Sequence, residues 1–480
     1  MELAQRFRST KSYLSYLRSA VLIFIHNYWR IGLRIGIVLV VLVFVAGLGF
    51  LAGKSNPFYA LVVACLPILI VAVEEVLKRP ELTPVIILST AAFVRISIPT
   101  GTGSRLVMSL AVTTAFTALW VLKMLQEKRF HTYPTPINRP LWGLIIVTII
   151  SLVWSNLFRD PWVVIWRSFP IVQIASTIVM VMLPMAFFLT ANLIRKEQTL
   201  KILVAIMLLA GFLGLFRQYG YLSIPVNVNG LYTMWIISLS TALALFNRQL
   251  SRWQRGLLLA LAGLWIFWGL GLHVSWLAGW LPGVIAVGVL IFTRSKRWTF
   301  ILVIAVLVYV SINASYFLGT VIQSESRESG ETRLAAWEMN WRITSQHLLF
   351  GTGPAGYAAY YLSYFPMEAT ASHSNYIDII AQTGVIGLAL CLWFFFGLVW
   401  YGYRLTLRLR GRGDFFEGLA NAAFAGTIGC IVMMGFGDWL FPFAYTQSIA
   451  GFDYAVYNWI FMGTLLAIDR LTKEHTDTHA

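Results

Sequence analysis

Residues 331–396 read ETRLAAWEMNWRITSQHLLFGTGPAGYAAYYLSYFPMEATASHSNYIDIIAQTGVIGLALCLWFFF. From Glu331 the spacing predicts a helix, with Leu334, Trp337, Trp341 and Leu348 recurring as one apolar stripe. Gly351-Thr352-Gly353-Pro354 stops it, because Gly and Pro together end a helical pattern. A tyrosine-rich stretch then leads to His373, and the chain enters an apolar run long enough to cross a bilayer, which takes about 20 residues. A polar excursion that ends on a histidine at the mouth of a membrane span sets the expected fold: an all-α integral membrane protein with its chemistry at a membrane edge.

The rest of the chain agrees. Of 480 residues, 58% are hydrophobic and only 12% charged, with mean hydropathy +0.74, which no soluble class shows. Fourteen stretches are candidate spans, near 35–52, 57–77, 83–99, 104–124, 140–157, 171–193, 200–219, 230–247, 256–274, 276–293, 299–319, 374–403, 415–436 and 449–468. Arg95 interrupts 83–99 and Pro282 interrupts 276–293, so the expected count is 12 to 14. Thirty-four mixed residues precede the first run with no small-residue cleavage pattern after it, so no cleavable signal is expected. The expected organisation is a cytoplasmic or interfacial segment 1–34, a membrane bundle 35–319, an extracytoplasmic loop 320–373, further spans 374–470 and a tail 471–480.

Charge tests the partition, since cytoplasmic connections carry excess Lys and Arg. With the N-terminus inside, 27 of the 36 Lys and Arg residues fall on alternate connections and 9 on the others. The acids divide 11 and 9, so the whole surplus of +16 lies on the side facing the cytoplasm and the other side is neutral. The surplus is a topology signal, and no nucleic-acid partner is expected. Cys65, Cys391 and Cys430 stand alone inside apolar runs and read as small core hydrophobes, without zinc or iron-sulfur spacing. No Gly-rich phosphate loop occurs, so no nucleotide, metal or cofactor is expected.

G-T-G-P-A-G-Y, a variable tyrosine-rich stretch, H-S-N-Y-I and then G-V-I-G resemble the C-terminal signature of the O-antigen ligase and polymerase superfamily. Arg333, Trp337, Gly351, Gly353, His373, Ser374, Tyr376, Ile377, Gly384 and Gly387 match it position by position. The resemblance implies a metal-independent glycosyltransferase of the bacterial cytoplasmic membrane, working at its outer face. Its donor would be a polyprenyl (undecaprenyl) diphosphate-linked glycan, its acceptor another glycan or lipid, and its environment membrane lipid. It also implies that His373 is the base and that Arg333 holds the diphosphate.

Those roles make independent chemical sense. Guanidinium presents planar, permanently charged donors to phosphate oxygens, and imidazole is the side chain suited to proton transfer near neutrality. Arg342, nine residues beyond Arg333, projects from about the opposite side of the helix, so only one of the two readily faces a shared site. Trp337, Tyr376, Asp378, Arg342 and Arg95 are further candidate substrate-binding residues, Asp378 as an orienting group for His373 or Arg333. The tyrosines of 358–365 are candidates for stacking on sugar rings.

One departure stands out. The superfamily carries a Ser-Arg at an outer membrane edge some spans earlier, and GLHVSWLAGWLPG has Ser275-Trp276 there, beside His273. Arg217, at the outer end of the seventh span, is the expected substitute, facing the same cavity as Arg333 and His373. The missing arginine leans the reading toward a polymerase or an atypical transferase, with ligase still open. The rival class is a multi-span transporter or flippase of an anionic or lipid-linked glycan, and a minor one a family member that binds glycan-lipid without turning it over. No sequence feature indicates an oligomeric state.

Overall fold

The computed structural model describes residues 78–99, 104–129, 132–220, 224–273, 276–316, 331–366 and 372–477. The chain divides into units Met1–Arg79 and Pro80–Ala480, and the fold described here is that of the second. The expected spans 35–52 and 57–77 and the segment 1–34 lie outside the described residues.

Fourteen principal helices follow one another: α1 (Thr83–Phe93), α2 (Met108–Glu127), α3 (Asn138–Leu157), α4 (Phe169–Leu193), α5 (Glu197–Gln218), α6 (Tyr232–Phe246), α7 (Arg252–Phe267), α8 (Leu277–Arg294), α9 (Lys296–Ile312), α10 (Glu331–Thr344), α11 (Tyr357–Tyr364), α12 (Asn375–Leu409), α13 (Phe415–Met433) and α14 (Phe452–Asp477). Among the described residues, seven helices are long and apolar enough to cross a membrane, α7 counted with the π-helical turn Trp268–Leu272 that extends it. The protein is thus a helical membrane protein, and the shorter apolar helices α1, α6 and α8 fall in stretches expected to span.

The stretch 83–99 does not continue as one helix. The 11 residues of α1 rise only about 16 Å, and the chain then turns into a two-stranded hairpin, β1 (Ser97–Pro99) with β2 (Arg105–Val107). Arg95 explains the stop: instead of lying in the span, its guanidinium donates to the Val226 carbonyl at 2.9 Å.

The helices hydrophobic all round form the centre, as such helices must. α6, α13 and α14 are buried along most of their length, with Trp235, Trp459, Phe461 and Met433 fully enclosed. Small residues on α13 let α6 approach: a Cβ on Gly426 would stand 2.4 Å from Trp235, and one on Gly429 2.3 Å from Met234. Inside, Trp235 Nε1 donates to Asn458 Oδ1 at 2.6 Å. The basic connections gather at one end. There Asp469 of α14 accepts from Arg408 and Tyr401 of α12, from Lys473 at 2.8 Å, and from Tyr133, which precedes α3, at 2.9 Å.

The other end is organised by a break in α12. At Gly384 (φ +70°, ψ −173°) the helix leaves helical geometry, and the segment 348–353 fills the gap. The Thr352 and Gly353 amides donate to the Ala381 and Gln382 carbonyls at 2.8 and 3.0 Å, and the Val385 amide donates to the Leu348 carbonyl at 2.7 Å. Ser151 of α3 lies 2.5 Å from both the Phe350 and Gln382 carbonyl oxygens. The strap is therefore stitched to the break as a strand would be to its neighbour.

This assigns the signature glycines. A Cβ on Gly384 would meet the Leu349 carbonyl oxygen at 2.2 Å, and one on Gly351 the Ala381 oxygen at 2.6 Å. Gly384 also occupies backbone space open essentially to glycine alone, where another residue costs about 1–3 kcal/mol before any clash. Gly384→Ala is accordingly expected to lower the thermal unfolding temperature of the detergent-solubilised protein by the equivalent of about 2 kcal/mol or more. Gly288→Ala, whose Cβ meets nothing within 4 Å, is expected to leave it unchanged, and equal behaviour of the two variants would refute the strap.

Candidate active site

His373 sits where the loop re-enters the membrane bundle, two residues before α12 begins, half-buried and in the left-handed backbone region at φ +48°. A non-glycine residue holds that conformation only if its surroundings fix it. They do so residue by residue. Trp337 of α10 donates its indole N–H to the Ser372 carbonyl at 2.7 Å. The Ser372 hydroxyl donates to Asp378 Oδ1 at 2.5 Å and accepts from the Ser374 amide at 3.2 Å. Ser374 donates to the Met434 carbonyl, and Asn375 clamps the 440–441 backbone, accepting from both amides and donating to the Phe441 carbonyl at 2.7 Å. The imidazole itself has no hydrogen-bond partner among the described residues, so its nitrogens remain available to substrate.

Behind this turn lies a polar cluster. Tyr357 of α11 donates to Asp378 Oδ1 at 2.6 Å, with its ring stacked on Phe443 at 4.3 Å. Burial and the adjacent carboxylate push the Tyr357 phenol far above its ordinary range, so it stays a donor. Asp378 is 1% exposed, and its Oδ2 has no partner among the described residues. Asp378 thus reaches His373 through the Ser372 backbone and makes no described hydrogen bond to the imidazole.

Of the other expected site residues, Arg333 lies in the first turn of α10, one turn before Trp337 and two before the buried Asn340; its side chain falls outside the described residues. Arg342 is solvent-exposed and paired with Glu338 at 2.8 Å. Tyr376 donates to the Ile431 carbonyl at 2.7 Å, fastening α12 to α13. Leu334 and Trp341 of the α10 stripe lie on the outer face, 65% and 55% exposed, whereas Trp337 turns to Ser372 and Ala336, Asn340, Ile343 and Thr344 pack inward. Of the tyrosines in 358–365, Tyr360 and Tyr361 are buried beside Tyr357 in a small core with Val163, Phe169 and Ile343, while Tyr364 is 42% exposed and donates to Asp160.

Arg217 and Arg95 converge on one atom. Both guanidiniums donate to the Val226 carbonyl oxygen, Arg217 from the last turn of α5 and Arg95 from just beyond α1. Neither has an acidic partner among the described residues, and neither touches His373 there. Ser275 lies outside the described residues. Trp276 is part of an aromatic cluster with Trp268 and Trp265, and Trp265 donates to the Gly211 carbonyl of α5 at 3.1 Å, one to two turns before Arg217.

The residues that sequence reading missed are the ones that hold the turn: Ser372, Asn375 and Gln382 on one side, Ser151 on the other. One signal was present, since polar side chains at the mouth of a span are costly unless paired and here have named partners.

Residues 255–392 match the O-antigen ligase family model, a segment that runs from α7 through the loop and into the first half of α12. No curated protein matches the chain. The match covers 138 of the 480 residues, and in that segment the chain is similar to O-antigen ligases. His373, Trp337, Asp378 and the glycine strap lie inside the matched segment, and Arg95 and Arg217 outside it.

Asp378→Leu removes the acceptor of two buried hydroxyl donors, a loss of about 1–3 kcal/mol for each stranded group, and frees the His373 turn. The expected result is a large fall in kcat with little change in KM for the donor. Asp378→Asn keeps an oxygen acceptor and should restore most of the rate; equal loss in both variants would place Asp378 in the chemistry itself.

Proposed function

We propose that the protein transfers a glycan from a polyprenyl diphosphate carrier to an acceptor hydroxyl at the extracytoplasmic membrane face of a bacterial cell. The observation that carries this reading is His373, held in a left-handed turn at the bundle mouth with no hydrogen-bond partner for its imidazole among the described residues, within an O-antigen ligase-like segment. On this reading the imidazole takes the proton of the acceptor hydroxyl as its oxygen bonds to the anomeric carbon. The bond from that carbon to the diphosphate breaks, and its electron pair leaves with the diphosphate.

Arg333 binds the diphosphate in this scheme. Arg217, supported by Arg95, supplies the second positive charge that the Ser275-Trp276 position lacks. The support is the convergence of both guanidiniums on Val226, two cations without an acidic partner among the described residues, with Arg217 on the helix next to the Trp276 cluster. The absence of the usual arginine favours glycan polymerisation over transfer to a lipid acceptor. A transporter reading needs a charged route across the bilayer midplane, whereas Arg217 stands in the last turn of α5.

The test is incubation of the purified protein with a synthetic polyprenyl-diphosphate oligosaccharide, with and without a second acceptor, and product masses as the readout. Longer carrier-linked glycans are expected. His373→Ala should lower the rate by about 10²-fold or more, the usual contribution of a general base. Arg217→Gln should chiefly raise KM for the donor. Undiminished turnover in His373→Ala would overturn the assignment.

A further inference from the structure

At the basic end of the bundle, the turn Arg294-Ser295-Lys296 between α8 and α9 separates two cavities that share Ser295. The first, about 140 Å³, is polar: Lys296, Arg410, Ser295, Thr293, Tyr403 and Asn421 contribute to its wall. The second, about 480 Å³, is almost wholly apolar and runs beside α9, between Leu245 of α6 and Trp298, Ile301 and Ala305. Arg294 stands at the junction, 5.7 Å over the ring of Phe246, which lines the polar cavity.

Three observations identify what the pair would hold. Neither Lys296 nor Arg410 has an acidic partner among the described residues, while Glu417, the one acid in the wall, already accepts from the Gly411 and Gly413 amides at 3.0 and 2.6 Å. Asn421 is 2% exposed, its Nδ2 donates to the Glu417 carbonyl, and its Oδ1 is buried in the polar wall with no described partner. The apolar cavity opens beside Trp298 and Ile301, 65% and 52% exposed on a helix that packs chiefly on α8. A negative group is wanted between the cations, a hydrogen-bond donor at Asn421 and a hydrocarbon chain along α9.

We propose that this is a binding site for a single anionic phospholipid with a hydroxyl-bearing headgroup. Its phosphate lies between Lys296 and Arg410, a headgroup hydroxyl donates to Asn421 Oδ1, and an acyl chain fills the groove between α6 and α9. Basic pockets between membrane helices select anionic headgroups in this way. The lipid would pack against α9, the helix that leads into the loop carrying α10, and so steady it against α6. The proposal does not depend on the assignment of His373.

The test uses the full-length protein in detergent, native mass spectrometry and thermal unfolding, with phosphatidylglycerol or phosphatidylcholine of identical chains added. One phosphatidylglycerol should be retained in preference to phosphatidylcholine and should raise the unfolding temperature. The Lys296→Gln/Arg410→Gln double variant should lose that preference by about tenfold. Ser295→Trp, which blocks the junction without changing charge, should lose retention as well, and unfolding of both variants without added lipid checks that they fold. Equal retention of the two lipids by the unaltered protein, or unchanged phosphatidylglycerol retention in the folded double variant, would overturn the proposal.

Discussion

A helix broken at a membrane edge exposes amides and carbonyls that lipid cannot satisfy, and each such group costs several kcal/mol if left alone. α12 is broken at Gly384, and the strap 348–353 supplies the missing partners: two amides to Ala381 and Gln382, one carbonyl to Val385. Ser151 locks the seam from α3. The rest of the functional end depends on this exchange, because it fixes the loop helices α10 and α11 over the mouth of the bundle. From there Trp337 and Tyr357 reach the His373 turn, one through the Ser372 carbonyl and the other through Asp378.

The structure divides the signature into two jobs. The glycines at 351 and 384 serve close backbone approach in the strap and those at 353 and 387 leave room for the Ser155 and Thr383 hydroxyls, a Cβ at any of the four coming within 2.7 Å of a neighbouring atom. On our proposal His373 and Arg333 serve chemistry. Trp337, Ser372, Asn375 and Asp378 stand between the two, converting the rigidity of the seam into one backbone conformation at His373. A base used in glycan transfer gains from such placement, since a displacement of about 1 Å in a reacting group can cost about 10²-fold in rate.

Much of this was legible in the residues. Apolar runs of span length located the bundle, and the start of α12 after His373 fell where the spacing put it. Reading failed where a run of suitable hydropathy has a better local alternative. The stretch 83–99 yields an 11-residue helix and a hairpin because Arg95 finds the Val226 carbonyl at the bundle end. The tyrosines of 358–365 read as candidate sugar platforms, yet Tyr360 and Tyr361 are buried in the loop's own core while Tyr364 stays exposed, since a tyrosine-rich pattern does not say which face of a short helix is covered. Leu334 and Trp341 of the α10 stripe are likewise apolar without packing inward.

By itself, then, the sequence determined a helical membrane protein with its basic residues on alternate connections, and it marked His373 by the motif around it. Those properties are local: a span needs only its own apolar residues, and a motif only its own order. Tertiary structure decided that His373 stands in a left-handed turn with no ring partner among the described residues, that Asp378 accepts from the Ser372 hydroxyl, and that Arg95 and Arg217 share the Val226 carbonyl. Each of these depends on partners between about 5 and 130 residues apart in the chain. Such pairings follow from which backbone groups are left unsatisfied when the helices close, a condition set by the assembled bundle and by no single stretch of it.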